Sequence, residues 1–415
     1  MGVEQIIVLL VALTTALHLW LDQREARTLR RATDVPSPWN GQITPEQHQR
    51  AVAYHLDRIR LHRWQLLLAA TLTLLWLAGG LLGQVDALLR SLTSDWRLHA
   101  LGLFAVVFGF NALAELPLDL YRQFDIEQRH GFNRMSPALF FLDRVKLLML
   151  SVLLGAPLLL ALLWIMRHVP NWWLWAGLGL GLVSLLMGWI WPILIAPLFN
   201  RFSPLPDGPL KARIEALLAR EGFHADGIFI IDGSRRSSHG NAYFTGLGKN
   251  KRIVFYDTLL ETLDDDEILA VLAHELGHYR FHHVQQGIVV STLLGTLLFW
   301  LADQVMHQPA FSHLGGVTTP DEATRLVSFF LLLPWITSWL EPLLNAWSRR
   351  HEFQADRHAA HLTHPEWLRR ALLKLYRDNA TPLVGDRLHS LFHDTHPPAR
   401  LRLQELDRLQ HGAGT

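Results

Sequence analysis

Two histidines one helical turn apart, with a glutamate between them, are the residues of this chain best suited to chemistry. The stretch "HELGH" contains His274, Glu275 and His278 in a segment whose apolar periodicity predicts an α-helix. Residues four apart on a helix share a face, about 6 Å apart, so both imidazoles can bind one ion. In this pattern the histidines bind zinc and the glutamate is a general base toward zinc-activated water. The alternative is a helix with two surface histidines that align by chance.

A catalytic zinc needs a third protein ligand and an open position for water, and the chain has no cysteine to supply that ligand. The stretch "SRRHEFQADRHAAH" places Glu352 and Asp356 one helical turn apart. We expect Glu352 to bind zinc, and Asp356 to accept the free N–H of a ligand histidine and so fix its tautomer. On spacing alone, the solvated face of a charged helix explains this pair equally well.

The composition indicates a membrane protein. Half of the residues are hydrophobic, 18% are charged and 16 are tryptophan, a profile unlike that of soluble domains. The formal net charge of +1 provides no basic surface, so we exclude nucleic acid as a partner. A membrane-spanning helix takes about 20 apolar residues. Seven segments meet this requirement: 3–21, 64–83, 99–118, 147–166, 172–195, 284–303 and 326–347.

The positive residues predict the orientation in the lipid bilayer. Arginines and lysines are concentrated in the loops after the first and third spans, so the positive-inside rule places the N-terminus outside and the catalytic segment and C-terminus in the cytosol. The first span lacks a basic leader and a clear cleavage site, so we expect an uncleaved anchor. The arginine-rich, cysteine-free composition favours a bacterial inner membrane.

The pattern of spans and loops divides the chain into four parts. Residues 1–195 hold spans one to five with their cytosolic loops, and residues 196–283 form a small catalytic domain. Residues 284–347 hold spans six and seven, and residues 348–415 form a helical part that completes the zinc site.

The catalytic domain is expected to combine helices with a small sheet. The stretches "GIFIID", "NAYFTGL" and "KRIVFYD" predict an antiparallel sheet, whose last two strands form a hairpin with a turn at 248–250. Thr262 is the expected N-cap of the "HELGH" helix, which we expect to run on into the sixth span. In the tail, Thr363 is expected to start a new helix with a capping box.

Longer motifs link these features to a known family. "IEQRHGFN", "IAPLFNRFSPLP", "SSHGNAYFTG", "HELGH", "SRRHEFQAD" and "THPP" follow one another in this order. In this combination the chain resembles the integral-membrane CAAX prenyl proteases, a family of zinc metalloendopeptidases. The resemblance implies a mainly α, multi-pass fold with seven transmembrane helices around an intramembrane chamber and a small α+β zincin-type catalytic domain.

The resemblance also implies roles for individual residues of the metal centre. His274, His278 and Glu352 match the family's zinc ligands, for one Zn²⁺ per chain. Glu275 matches the catalytic base, and Asp356 matches the acid that supports a ligand histidine.

The "THPPARLR" segment matches a second part of the family's active site. His396 and Arg402 correspond to a histidine and an arginine that lie over the zinc and steady the substrate carbonyl or oxyanion. Arg400 is a rival for the arginine position, since it lies two residues earlier in the same segment. Without the resemblance, a turn histidine before proline would explain His396.

A substrate-binding strand is expected just before the "HELGH" helix. If Asn241, Ala242, Tyr243 and Phe244 form an edge strand beside that helix, an extended peptide can add to it through backbone hydrogen bonds. The alternative is an ordinary hairpin strand.

Polar pairs inside two predicted spans favour a water-filled interior. Asn111 and Glu115 lie one turn apart in the third span, as do Glu341 and Asn345 in the seventh. Such groups usually face a cavity or a bundle interior. Hydrogen bonding between helices is the alternative.

We therefore predict a membrane zinc metalloendopeptidase of the CAAX prenyl protease type, which removes the C-terminal tripeptide from prenylated CAAX proteins. Its expected partners are a peptide or protein substrate and the lipid bilayer, and we expect a monomer. Two alternatives remain at this point. One is a quality-control protease for membrane proteins without prenyl substrates, and the other is a non-proteolytic transporter with structural zinc.

Overall fold

The computed structural model describes residues 2–37, 39, 41–223, 225–245 and 251–412. Its N-terminal half consists of helices. They are α1 Val3–Arg31, α2 Pro45–Leu77, α3 Leu81–Leu92, α4 Trp96–Tyr121, α5 Glu127–Arg129, α6 Pro137–Leu150, α7 Ala156–His168, α8 Trp172–Ile190 and α9 Ala196–Phe199. Single π-helical turns make α4–α5, α6–α7 and α8–α9 continuous.

The C-terminal half contains a sheet, its flanking helices and the last membrane helices. In chain order the elements are β1 Phe202–Pro204, α10 Pro209–Arg220, β2 Gly227–Ile231, β3 Ala242–Thr245, β4 Arg252–Tyr256, α11 Asp257–Thr262, α12 Asp265–Arg280, α13 His283–Met306, α14 Pro309–Ser312, α15 Glu322–Thr337, α16 Glu341–Leu362, α17 Pro365–Asp378, α18 Arg387–His393 and α19 Ala399–Gly412.

The predicted fold class is confirmed. Six continuous helical stretches in the described part of the chain are long and apolar enough to cross a membrane, and one bent helix pair raises this number to seven. Large apolar side chains such as Leu148 and Met149 are about two-thirds exposed, and on a membrane helix such side chains face lipid.

The predicted second span, 64–83, is not one continuous helix. The helix α2 ends at Leu77, and α3 begins after Gly80 with a bend of 56°. Gly80 has φ +76°, a left-handed conformation that glycine adopts without steric cost. The apolar pattern alone could not show this break.

The sheet is mixed rather than antiparallel as predicted. Its strand order is β1-β2-β4-β3, in which β2 pairs parallel with β4 and the other two pairs are antiparallel. The predicted pairing of β3 with β4 is therefore correct, although its turn at 248–250 lies outside the described residues. The middle of strand β4 is an apolar run in which Ile253, Val254 and Phe255 are almost fully buried, because both neighbours of this strand are strands and both of its faces are covered there.

Three predicted helix boundaries are wrong. The N-cap of α12 is Asp264, not Thr262, because Asp264 and Glu267 form a reciprocal capping box. The same helix ends at Arg280 instead of entering the membrane, since His282 adopts φ +57° and α13 starts anew. The cap of α17 is His364, whose Nδ1 accepts a hydrogen bond from the Glu366 amide, rather than Thr363.

Helices α8 and α13 pack closely through glycine. A Cβ at Gly177 would overlap the Thr296 side chain and lie 2.9 Å from its Cα, whereas a Cβ at Gly179 would meet no atom within 4 Å. Small residues at such contacts let membrane helices approach closely.

We predict that Gly177→Val lowers the thermal unfolding midpoint in detergent by several degrees, because overpacking costs about 1–3 kcal/mol. Gly179→Val is the matched control and should unfold like the wild type. Equal midpoints for the two variants would contradict the close packing of α8 against α13.

Candidate metal centre

The centre is built where α12 crosses α16. A Cβ at Gly277 would lie 2.8 Å from the Cα of Ala355, so the two helices are as close here as their backbones allow. Gly277 and Ala355 are both buried. Their small size brings the histidines of "HELGH" opposite Glu352 on the facing helix.

Three predicted metal ligands converge at this crossing. The Nε2 atoms of His274 and His278 lie 3.2 Å apart. The carboxylate of Glu352 lies 3.5 Å from His274 Nε2 through one oxygen and 3.4 Å from His278 Nε2 through the other. Bonds of about 2.0–2.1 Å to a tetrahedral zinc place ligand atoms about 3.3 Å apart, so this donor set fits such an ion. In addition, Glu352 Oε2 is buried and accepts no hydrogen bond among the described residues, a need that an ion would meet.

The fully buried Asp356 supports this centre from behind. Its Oδ1 lies 2.9 Å from Nδ1 of His274, which leaves Nε2 of that histidine directed at Glu352. Arg402 of α19 donates two hydrogen bonds to Asp356, from Nε at 2.8 Å and from Nη2 at 2.6 Å. A bidentate pair of this kind fixes the carboxylate plane as well as its position. The rival Arg400 is exposed, so Arg402 is the arginine at the centre.

A support for His278 was not predicted from the sequence. Its Nδ1 lies 3.0 Å from Nδ1 of His283, and Nε2 of His283 lies 3.0 Å from Gln354 Oε1. If His278 binds a metal through Nε2, its Nδ1–H donates to His283, which in turn donates to Gln354. The sequence signal for this support was the position of His283 just after α12 and of Gln354 two residues after Glu352.

Burial affects the two ionisable groups at the start of "HELGH" in different ways. Burial raises the pKa of the Glu275 carboxyl above its ordinary value, and the nearby histidines offset only part of that shift. Burial would lower the pKa of His274, but its contacts with Asp356 and Glu352 raise it to about 9. A metal ion therefore competes with a proton for His274, while Glu275 becomes a stronger proton acceptor.

A cavity of about 510 Å³ opens beside the metal ligands. Its lining includes Asn241, Tyr376, His396 and Arg402. His396 Nε2 lies 3.5 Å from Glu352 Oε1, and its side chain remains 66% exposed. The imidazole can therefore reach both the metal ligands and a molecule in the cavity. Tyr376 was not predicted from the sequence, because only the fold brings α17 to this cavity.

Strand β3 lies at the edge of the sheet and contacts α12. Its inner side pairs with β4, and no strand pairs with its outer side among the described residues. Asn241 precedes it, and the Asn241 carbonyl accepts a hydrogen bond from the Tyr256 amide. Phe244 packs edge-to-face on Phe223, and this contact fixes the side of the sheet to which the strand directs Phe244.

The segment before β3 is anchored to the membrane half. His239 stacks on Phe132 with ring centres 4.4 Å apart, and the Ser238 amide donates to the Phe132 carbonyl. His239 Nδ1 also lies 3.0 Å from Asn379 Oδ1. The motifs "IEQRHGFN" and "SSHGNAYF" thus meet in space and hold the edge strand in place.

Comparison with known proteins finds relatives that match nearly the whole chain. Residues 25–201 match the model of the CAAX prenyl protease N-terminal domain, described as five membrane helices, and residues 204–410 match peptidase family M48. The chain is similar to CAAX prenyl protease 1 homologs of Arabidopsis thaliana, with 36% identity over 94% of this chain and 93% of the relative, and of Homo sapiens, with 32% identity over 95% and 93%. It is also similar to the crystal structure of S. mikatae Ste24p, with a TM-score of 0.91 and 31% identity over 97% of this chain and 98% of the other.

We predict that Arg402→Met destabilises the protein and weakens metal retention, whereas Arg400→Met does neither. Removing one partner of a buried ion pair costs about 3–5 kcal/mol, and here it would leave Asp356 without its bidentate partner. The measurement is the thermal midpoint and the metal content after desalting. Loss of metal in the Arg400 variant alone would contradict the assignment.

Proposed function

The chain belongs to peptidase family M48 and carries the N-terminal domain of the CAAX prenyl proteases, and we propose that it hydrolyses peptide bonds with one zinc ion held by His274, His278 and Glu352. It is an integral multi-pass membrane metallopeptidase. The observation that supports the ligand assignment is the mutual spacing of 3.2 to 3.5 Å among the three ligand groups, on two helices in direct contact. When bound, zinc would supply a Lewis acid that activates water and polarises the scissile carbonyl.

Glu275 is the proposed general base. It follows the ligand His274 directly in α12, and its raised pKa suits a group that accepts a proton from the attacking water and returns it to the leaving amine. Asp356, whose Oδ1 lies 2.9 Å from Nδ1 of His274, would keep the proton on that nitrogen when a metal is bound, so that Nε2 serves as the ligand.

His396 and Arg402 are proposed to act in different ways. The exposed imidazole of His396 lines the cavity and can donate a hydrogen bond to the oxyanion that develops on the scissile carbonyl. Arg402 directs Nε and Nη2 at Asp356, and its Nη1 lies 3.7 Å from Glu352 Oε2, so its proposed role is to position the metal centre. This refines the expectation that both residues steady the carbonyl.

The free edge of β3 is the proposed peptide-binding strand. Asn241, Ala242, Tyr243 and Phe244 offer backbone groups on the outer side of the sheet, beside α12 and next to the cavity. An extended peptide paired with them would be held by backbone hydrogen bonds, independent of its sequence.

The proposed substrate is a prenylated protein with a C-terminal CAAX sequence, from which the last three residues are removed. The relatives with this name are similar over more than 90% of the chain, including the membrane half. Within that half, Glu115 is exposed on α4, and an ionisable group exposed on a membrane helix is expected to face water rather than lipid. Asn111 instead accepts a hydrogen bond from Trp76, and Asn345 donates one to the Phe392 carbonyl. These two residues thus follow the alternative of hydrogen bonding between helices.

We further propose that the N-terminus lies outside a bacterial inner membrane and the metal centre lies on the cytosolic side, because the arginines cluster in the predicted cytosolic loops. All proposed ligands come from one chain, so a monomer is sufficient for activity.

The central test uses Glu275→Gln with a farnesylated CAAX peptide. We expect zinc content equal to wild type and cleavage reduced about 10²–10⁴-fold, the usual contribution of a general base. Glu261→Gln changes an exposed glutamate on α11 and is the control with full activity.

An unprenylated membrane-protein segment is the second substrate in this experiment. Preference for the farnesylated peptide supports prenyl processing, whereas preference for the segment supports quality control. Wild-type activity in the zinc-loaded Glu275 variant would contradict the catalytic role and favour a structural metal.

A further inference from the structure

A second cluster of histidines and carboxylates lies where α1 meets α18, apart from the centre described above. The second cluster consists of His18 and Asp22 of α1 and His389 and His393 of α18. It shares no residue with the proposed catalytic centre. None of its members has a role in the proposed hydrolysis.

The spacing of these side chains resembles that of the first centre. The ligand atoms of Asp22, His389 and His393 all lie within 4.8 Å of one another. Asp22 Oδ1 is 3.6 Å from His389 Nε2, and His18 Nδ1 is 3.4 Å from His393 Nε2. Both distances are close to the ligand separation of about 3.3 Å around a tetrahedral ion with bonds of about 2.0–2.1 Å.

An independent observation indicates that Asp22 lacks a binding partner such as a metal ion. Asp22 is only 1% exposed, and its Oδ1 accepts no hydrogen bond among the described residues. Leaving such an oxygen unsatisfied is costly. The other oxygen, Oδ2, lies 3.0 Å from Nδ1 of His62, the kind of outer hydrogen bond that orients a metal-binding carboxylate. The unsatisfied oxygen lies on the His389 side.

We propose that Asp22, His389 and His393 bind a second divalent transition-metal ion of the zinc type. Imidazole and carboxylate groups suit zinc and its neighbours among the transition metals. His18, Glu341 and His393 form a neighbouring group at the same spacing, which has only His393 in common with the proposed site.

This ion would fasten the N-terminal helix to the segment that carries His396. His393 ends α18 three residues before His396, and both line the cavity beside the first centre. Arg349 of α16 already donates to the carbonyls of Ser390 and Asp394. A metal link between residues 22 and 389 closes a very long loop, and such links restrict the unfolded chain most.

The test is the zinc content of detergent-purified protein, incubated with zinc and then desalted in metal-free buffer. Wild type should retain two zinc ions per chain. His274→Ala/His278→Ala and His389→Ala/His393→Ala should each retain one, and the combination of all four changes should retain none. His361→Ala, which changes an exposed histidine, is the control and should retain two.

A single zinc ion in the wild type, lost in the His274/His278 variant, would overturn the second site and leave the proposed function intact. Two zinc ions that both persist in the His389/His393 variant would also overturn it. Two ions in the His274/His278 variant would instead count against the first centre. One zinc ion per wild-type chain would overturn the second site even if a variant fails to fold.

Discussion

The contact of α12 with α16 at Gly277 and Ala355 is the constraint on which the proposed active site depends. Because these two small residues let the helices touch, His274 and His278 face Glu352 at metal-ligand spacing without any loop having to close. Behind them the buried pair of Asp356 and Arg402 makes the arrangement rigid. An unpaired buried carboxylate would be strongly unfavourable, so α19 must dock before the centre can be stable.

The same contact connects the membrane helices to the proposed active site. A 3-10 turn at Ser338–Leu340 joins α15 to α16, so the last membrane helix continues directly into the segment that carries Glu352 and Asp356. On the other side, the edge strand is held to the membrane half by the stacking of His239 on Phe132. The cavity that would receive the peptide therefore lies between two parts that are each fixed to the membrane helices.

Local patterns made much of this predictable from the sequence. The i, i+4 spacing of His274 and His278 is a property of one helix, and all spans except the broken second one follow from apolar length alone. The parallel pairing of β2 with β4 was not predictable in this way, because it depends on how the chain returns between strands. The helix break at His282, where a non-glycine residue takes a left-handed conformation, has no marker in composition. The support of His278 by His283 and Gln354, and the position of Tyr376, appear only when separate helices meet.

The most direct measurement is anomalous diffraction at the zinc absorption edge from crystals of the purified protein. The account predicts a peak about 2.0–2.2 Å from Nε2 of His274, Nε2 of His278 and an oxygen of Glu352. The absence of a zinc peak at this position in zinc-saturated crystals, with Glu352 turned away from the two histidines, would contradict it.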